Sequence, residues 1–263
     1  MALVSRLVGA LSRRSGRPEL LAAIDATARR DQREETAIAA IMAASLRSDS
    51  TYVDVGTNRG QLLRQAVRVA PQGRHVAFEP IPELAAVLAR AFPIVDCRQI
   101  ALSKAPRTAT FCHFRRLDGW SGLRRNTQIS DERGDPDYIE VEVSTLDAQA
   151  EQLSPALIKI DVEGAELDVI EGASATLLRA RPLLIFEHVA STAELYEAPS
   201  GALWRALDEL GYEVFTVTGE GPFTRDAFAS SRGVVNWLAR PVASDRQRGR
   251  AHTSERASGA AQV

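Results

Sequence analysis

Acidic side chains stand at four points of the 263-residue chain where an apolar run stops. Asp54 leads into Gly56-Thr57-Asn58-Arg59-Gly60, and Glu79 closes the next run 25 residues later. Asp161 and Glu163 follow Ala156–Ile160, and Glu187-His188 ends the run that starts at Pro182. Gly56 permits a tight turn and Gly60 lets a helix begin close to a ligand. The middle glycine of a dinucleotide fingerprint is missing, and no Lys-Ser/Thr follows Gly60, so this is neither that fingerprint nor a phosphate loop. An acid at the end of the second strand can accept both hydroxyls of a ribose. Glu79 also reads as an ordinary helix-start acid, but the pairing of the two strand ends favours a nucleoside. Asp161, Glu187 and His188 can converge on one small group, with His188 as a base near neutral pH. The same three could hold Mg²⁺ or Mn²⁺, and the metal-free reading is preferred. Glu163 and Glu166 also suit the start of the following helix, where acids complement the dipole. Lys159, inside its strand, reads as a salt-linked lysine.

Such residues matter only if a sheet brings them to one edge. Strand-like runs at 51–56, 74–80, 94–102, 156–162 and 182–188 alternate with helical spacing at 61–69, 84–92, 167–178 and from 200. Runs 108–114 and 138–146 alternate as strands around a long polar segment, and 212–218 and 233–239 close the pattern. Runs apolar on both faces, such as Leu183-Leu184-Ile185-Phe186, require helices on each side of the sheet. The expectation is a doubly wound α/β domain of about seven main strands, whose ligands lie outside the carboxyl ends of the strands. Residues 1–47 read as a helical N-terminal extension, 48–240 as the α/β domain with an insertion over 104–147, and 241–263 as a disordered tail, which holds no aromatic residue. Leu3, Val4, Leu7, Val8 and Leu11 recur at helical spacing beside Arg6, Arg13 and Arg14. That stretch either packs as a first helix or makes peripheral contact with an anionic membrane, and the first is preferred.

Composition narrows the classes. With 32 basic and 34 acidic residues there is no global case for nucleic acid. Two cysteines, Cys97 and Cys112, make no disulfide framework and suit buried thiols in a reducing, cytoplasmic setting. No apolar run approaches the roughly 18 residues of a membrane span.

Several segments together resemble the FkbM-type methyltransferases, a family of class I enzymes dependent on S-adenosylmethionine. They are YVDVGTNRGQL at 52–62, AFEPIPE at 77–83, ALS at 101–103, STLD at 144–147, LIKIDVEGAELDVIEGA at 157–173 and LLIFEH at 183–188. The resemblance runs from Tyr52 to His188 and on toward Trp237, and the KIDVEGAE segment is its most specific part. It implies S-adenosylmethionine held by the Asp54–Gly60 turn and Glu79, and methyl transfer to an oxygen of a sugar, lipid or natural-product intermediate. On that reading Asp54 orients the loop or approaches the ammonium group. Thr57, Asn58 and the N–H groups near Gly60 receive the carboxylate. Ile100, Ala101 and Leu102 flank the adenine, with core packing the equal alternative for Ile100 and Leu102. Asp161 contributes to both cofactor and chemistry, and His188 removes the hydroxyl proton.

The segment 115–137 reads as the specificity element. Arg116 and Arg124 could fork onto an anionic group, Trp120 could stack on a sugar ring, and Ser121 and Glu163 complete the expected acceptor contacts. Its bland alternative is a solvated loop whose arginines pair with Asp118, Asp131, Glu132 and Asp135. Two other functions compete: a nicotinamide-dependent oxidoreductase, and a non-enzymatic binding protein on a degenerate methyltransferase fold. The missing glycine speaks against the first, and the intact Asp54, Gly56, Gly60 and Glu79 set against the second.

Overall fold

The fold is seen in a computed structural model that describes residues 18–127, 129, 135–199 and 201–243, with side chains from Thr27 onward. The expected amphipathic stretch near Leu3 and most of the expected tail lie outside these residues.

Helix α1 (Pro18–Ser45) opens the described chain. Strand β1 (Thr51–Val55), α2 (Gln61–Val69), β2 (Val76–Phe78), α3 (Pro82–Ala91) and β3 (Asp96–Arg98) follow. Then come β4 (Ala101–Leu102), β5 (Arg107–His113), β6 (Asp137–Ser144), a short α4 (Leu146–Gln149) and β7 (Pro155–Ile160). The chain continues through α5 (Glu166–Glu171), α6 (Ser174–Ala180), β8 (Leu183–Glu187), α7 (Ala190–Ala193), α8 (Ala202–Glu209), β9 (Tyr212–Thr216), α9 (Arg225–Ser230) and β10 (Asn236–Pro241).

Seven strands form one sheet in the order β3-β2-β1-β7-β8-β10-β9. The strands from β3 to β8 pair in parallel, while β10 runs antiparallel to both β8 and β9. The sequence order reverses between β1 and β7, which is where ligands bind in such sheets. The two-residue period of the strands sends neighbours to opposite faces. Tyr52, Ala77, Leu157 and Ile185 pack against Ile38, Met42 and Leu46 of α1, Leu63 and Ala66 of α2, and Leu88 of α3. Val53, Val55, Ile158, Ile160, Leu184 and Phe186 face Val169, Leu177, Leu203 and Leu207. Both sheet faces are thus covered.

Three expectations need correction. The run 94–102 divides: β3 stays in the main sheet, whereas β4 leaves it to pair in parallel with β6. With β5, these strands make a separate three-stranded sheet. The helix expected over 167–178 breaks at Gly172, where a Cβ would stand 2.2 Å from the Ser103 carbonyl oxygen. The STLD segment supports the second half, because Asp147 accepts from the N–H groups of Ala175 and Thr176 at 3.0 and 2.7 Å and so caps α6. The body also continues past residue 240: Pro241 pairs with Tyr212 in the sheet, and Val242 is buried and donates from its N–H to Gly211. Among the described residues, no helix is long and apolar enough to cross a membrane.

Candidate active site

The turn after β1 is locked before any ligand arrives. Gly56 has φ +74°, and a Cβ there would stand 1.8 Å from the Asp161 carbonyl oxygen, so the ends of β1 and β7 touch through a bare backbone. Gly56→Ala is expected to destabilise the fold by at least about 2 kcal/mol, read in thermal denaturation. An unchanged melting temperature would show that the contact relaxes freely. Gly60 also has a positive φ, but its open side faces Leu88 of α3 and Phe92 just after it, each 2.8 Å from an added Cβ. A side chain at this position would therefore collide with the next helix rather than enter the cleft. The Thr57 hydroxyl donates to the Asp54 and Phe78 carbonyl groups and closes the turn.

A narrow slot opens beside this turn. Gly56, Asn58, Glu79, Ile100, Ala101, Ser121, Asp161 and Glu163 of the expected site line it, together with the apolar Phe78, Ile81, Leu102, Phe111 and Leu123. The Ser121 hydroxyl accepts from the Phe114 N–H at 3.0 Å. Glu79 is buried, and its carboxylate accepts from the Asn58 N–H at 2.7 Å and the Ile81 N–H at 2.9 Å. Burial pushes its pKa up to about 7, against the pull of those two N–H groups. A carboxylate has roughly four lone-pair sites, so capacity remains for hydroxyl donors.

A second cavity, about 480 Å³, adjoins the slot and shares Asn58, Asp118, Gly119 and Asp161 with it. Asp54, Thr57, Gln61, Lys159, Asn236, Arg116 and Trp120 also line it. Arg59 pairs with Asp118 at 2.6 Å across the cleft. Elsewhere in the expected specificity segment, Arg115 pairs with Asp137 and Glu83, and Arg125 with Asp135. Arg124 is exposed, lies outside the lining of both cavities and donates its backbone N–H to the Tyr196 hydroxyl.

The acids at the ends of β7 and β8 do gather, though not in the expected combination. One carboxylate oxygen from each of Asp161, Glu163 and Glu187 lies within 4.8 Å of the others. Burial, then Asp161 and Glu187, pushes Glu163 up to about 9. Burial, Asp161 and Glu166 push Glu187 up to about 8. Lys159 Nζ donates to the Gly56 carbonyl at 2.8 Å and sits 3.1 Å from Asp161 and 3.7 Å from Asp54. Burial alone would lower this ammonium's pKa, but the two aspartates outweigh it and raise it. Burial also raises Asp54.

His188 departs from its expected place. Its N–H donates to the Val235 carbonyl, so backbone pairing continues one residue past β8, and its own carbonyl accepts from the Trp237 indole. Successive residues of a strand face opposite ways. The imidazole accordingly stacks on Phe228, ring centroids 5.0 Å apart, 3.9 Å from Glu166, and lines a different cavity beside α7 and α9. Glu163 takes the position in the acid cluster that sequence gave to His188, because its backbone turns to φ +54°. Lys159 is the salt-linked lysine expected from sequence, paired with Asp54 and Asp161. Sequence reasoning missed Asn236, for which no local signal existed.

The model for the methyltransferase FkbM domain matches residues 54–214, more than half of the chain. The chain belongs to the FkbM methyltransferase family. It is 30% identical over 161 residues to methyltransferase sdnD of Sordaria araneosa, covering 49% of this chain and 62% of that protein. It is also 28% identical over 178 residues to the antimetabolite synthetase AmbE of Pseudomonas aeruginosa, covering 53% of this chain and 8% of AmbE. A solved FkbM methyltransferase from Methylobacillus flagellatus aligns at 15% identity and TM-score 0.46, over 74% of this chain and 44% of that one. The chain therefore spans less than two thirds of each of these relatives.

Proposed function

We propose that this FkbM domain transfers a methyl group from S-adenosylmethionine to a hydroxyl of a small molecule, a sugar, lipid or natural-product intermediate. The observation that carries the reading is the position of Asp161, which lines both the narrow slot and the adjoining cavity. The residues present fit the cofactor: apolar walls at Ile100, Ala101 and Phe111 suit an adenine, Glu79 retains acceptor sites for a ribose, and the charged groups of the adjoining cavity would receive the amino-acid end. S-Adenosylmethionine supplies an electrophilic sulfonium methyl. The chain's task is to align the acceptor oxygen in the space below Trp120 and Arg116, and to take its proton on the carboxylate cluster. Lys159, held between Asp54 and Asp161, keeps the cluster's charge partly balanced. The name of AmbE, an antimetabolite synthetase, supports a natural-product acceptor.

Calorimetric titration with S-adenosylhomocysteine tests the reading. Glu79→Ala is expected to weaken binding by about 1–3 kcal/mol, the worth of a charge-assisted hydrogen bond. Binding of NAD(H) instead would transfer the site to the oxidoreductase reading.

A second version adds a divalent cation. The oxygens of Asp161, Glu163 and Glu187 are hard donors close enough to share Mg²⁺ or Mn²⁺. Such an ion would lower the pKa of the acceptor hydroxyl. Turnover that survives EDTA leaves the carboxylates as the base; loss on chelation with recovery on Mg²⁺ supports the ion.

A further inference from the structure

Because β10 runs against its neighbours, its first residue lies at the carboxyl edge of the parallel strands, beside the cleft. That residue is Asn236, directly opposite Glu187 in the ladder. It shares a cavity wall with Asp54, Thr57, Gln61 and Lys159. Its Nδ2 donates to Glu34 Oε2 at 2.7 Å, across 202 residues of chain. Glu34 lies on α1 and is nearly buried. A second tie runs beside it: Arg30 Nη1 donates to the Gly233 carbonyl at 2.9 Å, and Arg30 Nε lies 3.9 Å from Glu34.

A carboxylate only accepts hydrogen bonds, so Glu34 fixes which end of the Asn236 amide faces the helix. The amide nitrogen is turned to α1, and the carbonyl oxygen remains available on the other side. The cavity wall then offers a neutral acceptor at Asn236, a carboxylate at Asp54 and an ammonium group at Lys159. This mixture matches an amino acid, which presents one cation and one anion.

Resting on the cofactor reading above, we propose that Asn236 Oδ1 accepts a hydrogen bond from the ammonium group at the amino-acid end of S-adenosylmethionine, with Glu34 as its positioning residue. The N-terminal helix is then part of the binding machinery as well as a cover over the core.

Calorimetry on the full chain, with two probes, tests this. S-Adenosylhomocysteine carries the amino acid, whereas 5′-methylthioadenosine keeps the adenosine and sulfur and lacks it. Asn236→Ala and Glu34→Ala are expected to weaken S-adenosylhomocysteine about 10- to 100-fold, the range for a hydrogen bond to a charged group. Affinity for 5′-methylthioadenosine should stay near wild type. Glu34→Gln, which keeps an acceptor oxygen for Asn236, should bind both probes like the wild type. Parallel loss of both probes, or unchanged S-adenosylhomocysteine affinity, overturns the proposal while leaving the cofactor reading intact. A wild-type protein that binds neither probe overturns both.

Discussion

Asp161→Asn is expected to lower turnover by about 10²–10⁴-fold, the usual worth of a positioned base. The substitution keeps the shape of the side chain and removes its carboxylate from the junction of the two cavities. It also takes from Lys159 a partner at 3.1 Å. The loss should fall mainly on kcat, with a smaller loss of S-adenosylhomocysteine affinity because Asp161 also lines the slot and holds Lys159. Near-native turnover would leave alignment of the reactants as the whole of the chain's contribution. The wild-type rate should climb toward alkaline pH, since burial and neighbouring acids hold Glu163 at about 9 and Glu187 at about 8. Glu163 and Glu187 share the same acid neighbours, so the profile reports the pair rather than one residue. A rate that is flat between pH 6 and 9 would remove the cluster from the proton transfer.

The same shifts make stability depend on pH in an unusual direction. Glu163 and Glu187 have raised values when folded, against 4.5 for an ordinary glutamate. Between about pH 5 and 9 the folded chain therefore holds protons that the unfolded chain has released, and stability falls as pH rises. A carboxylate with a depressed pKa would give the opposite slope. Melting temperature should thus decline from pH 5 toward pH 9 in the ligand-free protein, with Glu79 adding to the fall up to about 7. Glu163→Gln stays neutral throughout, so its profile should be flatter and its melting temperature higher than wild type at pH 9. A variant that follows the wild-type slope would show that Glu163 is ionised in the folded chain.

The parts of the site that could be read in the sequence are those fixed by local geometry. A strand followed by Gly56 and a helix announces a turn, and Glu79 at the next strand end follows from the same two-residue period. Ile100 and Ala101 lie in the slot because the chain leaves β3 there, and both could be placed from the end of that run. His188 failed for a reason no local pattern carries. The direction its ring takes depends on whether β8 stops at Glu187 or pairs for one residue more, and a segment almost 50 residues later decides that. Asn236 was hidden likewise, since alternation along a strand does not reveal whether it runs with its neighbours or against them. Glu163 was visible as an acid but not as a member of the cluster, because a left-handed backbone at a non-glycine residue is set by the turn around it.

The tie between Glu34 and Asn236 also bears on the order in which the molecule can assemble. The pairing of β1 with β2 joins residues 23 apart, Val53 and Val76, whereas the contact from α1 to β10 spans 202. On loop entropy alone the longer closure costs roughly 2 kcal/mol more. Contacts of such separation are costly to form early and are best made once the intervening chain is compact. During synthesis the slot's lining residues, from Val55 to Ala165, emerge before Asn236, so an unfinished chain still lacks part of the adjoining cavity's wall. Completion of the cavity thus waits for the last strand, and reports that the whole sheet has closed.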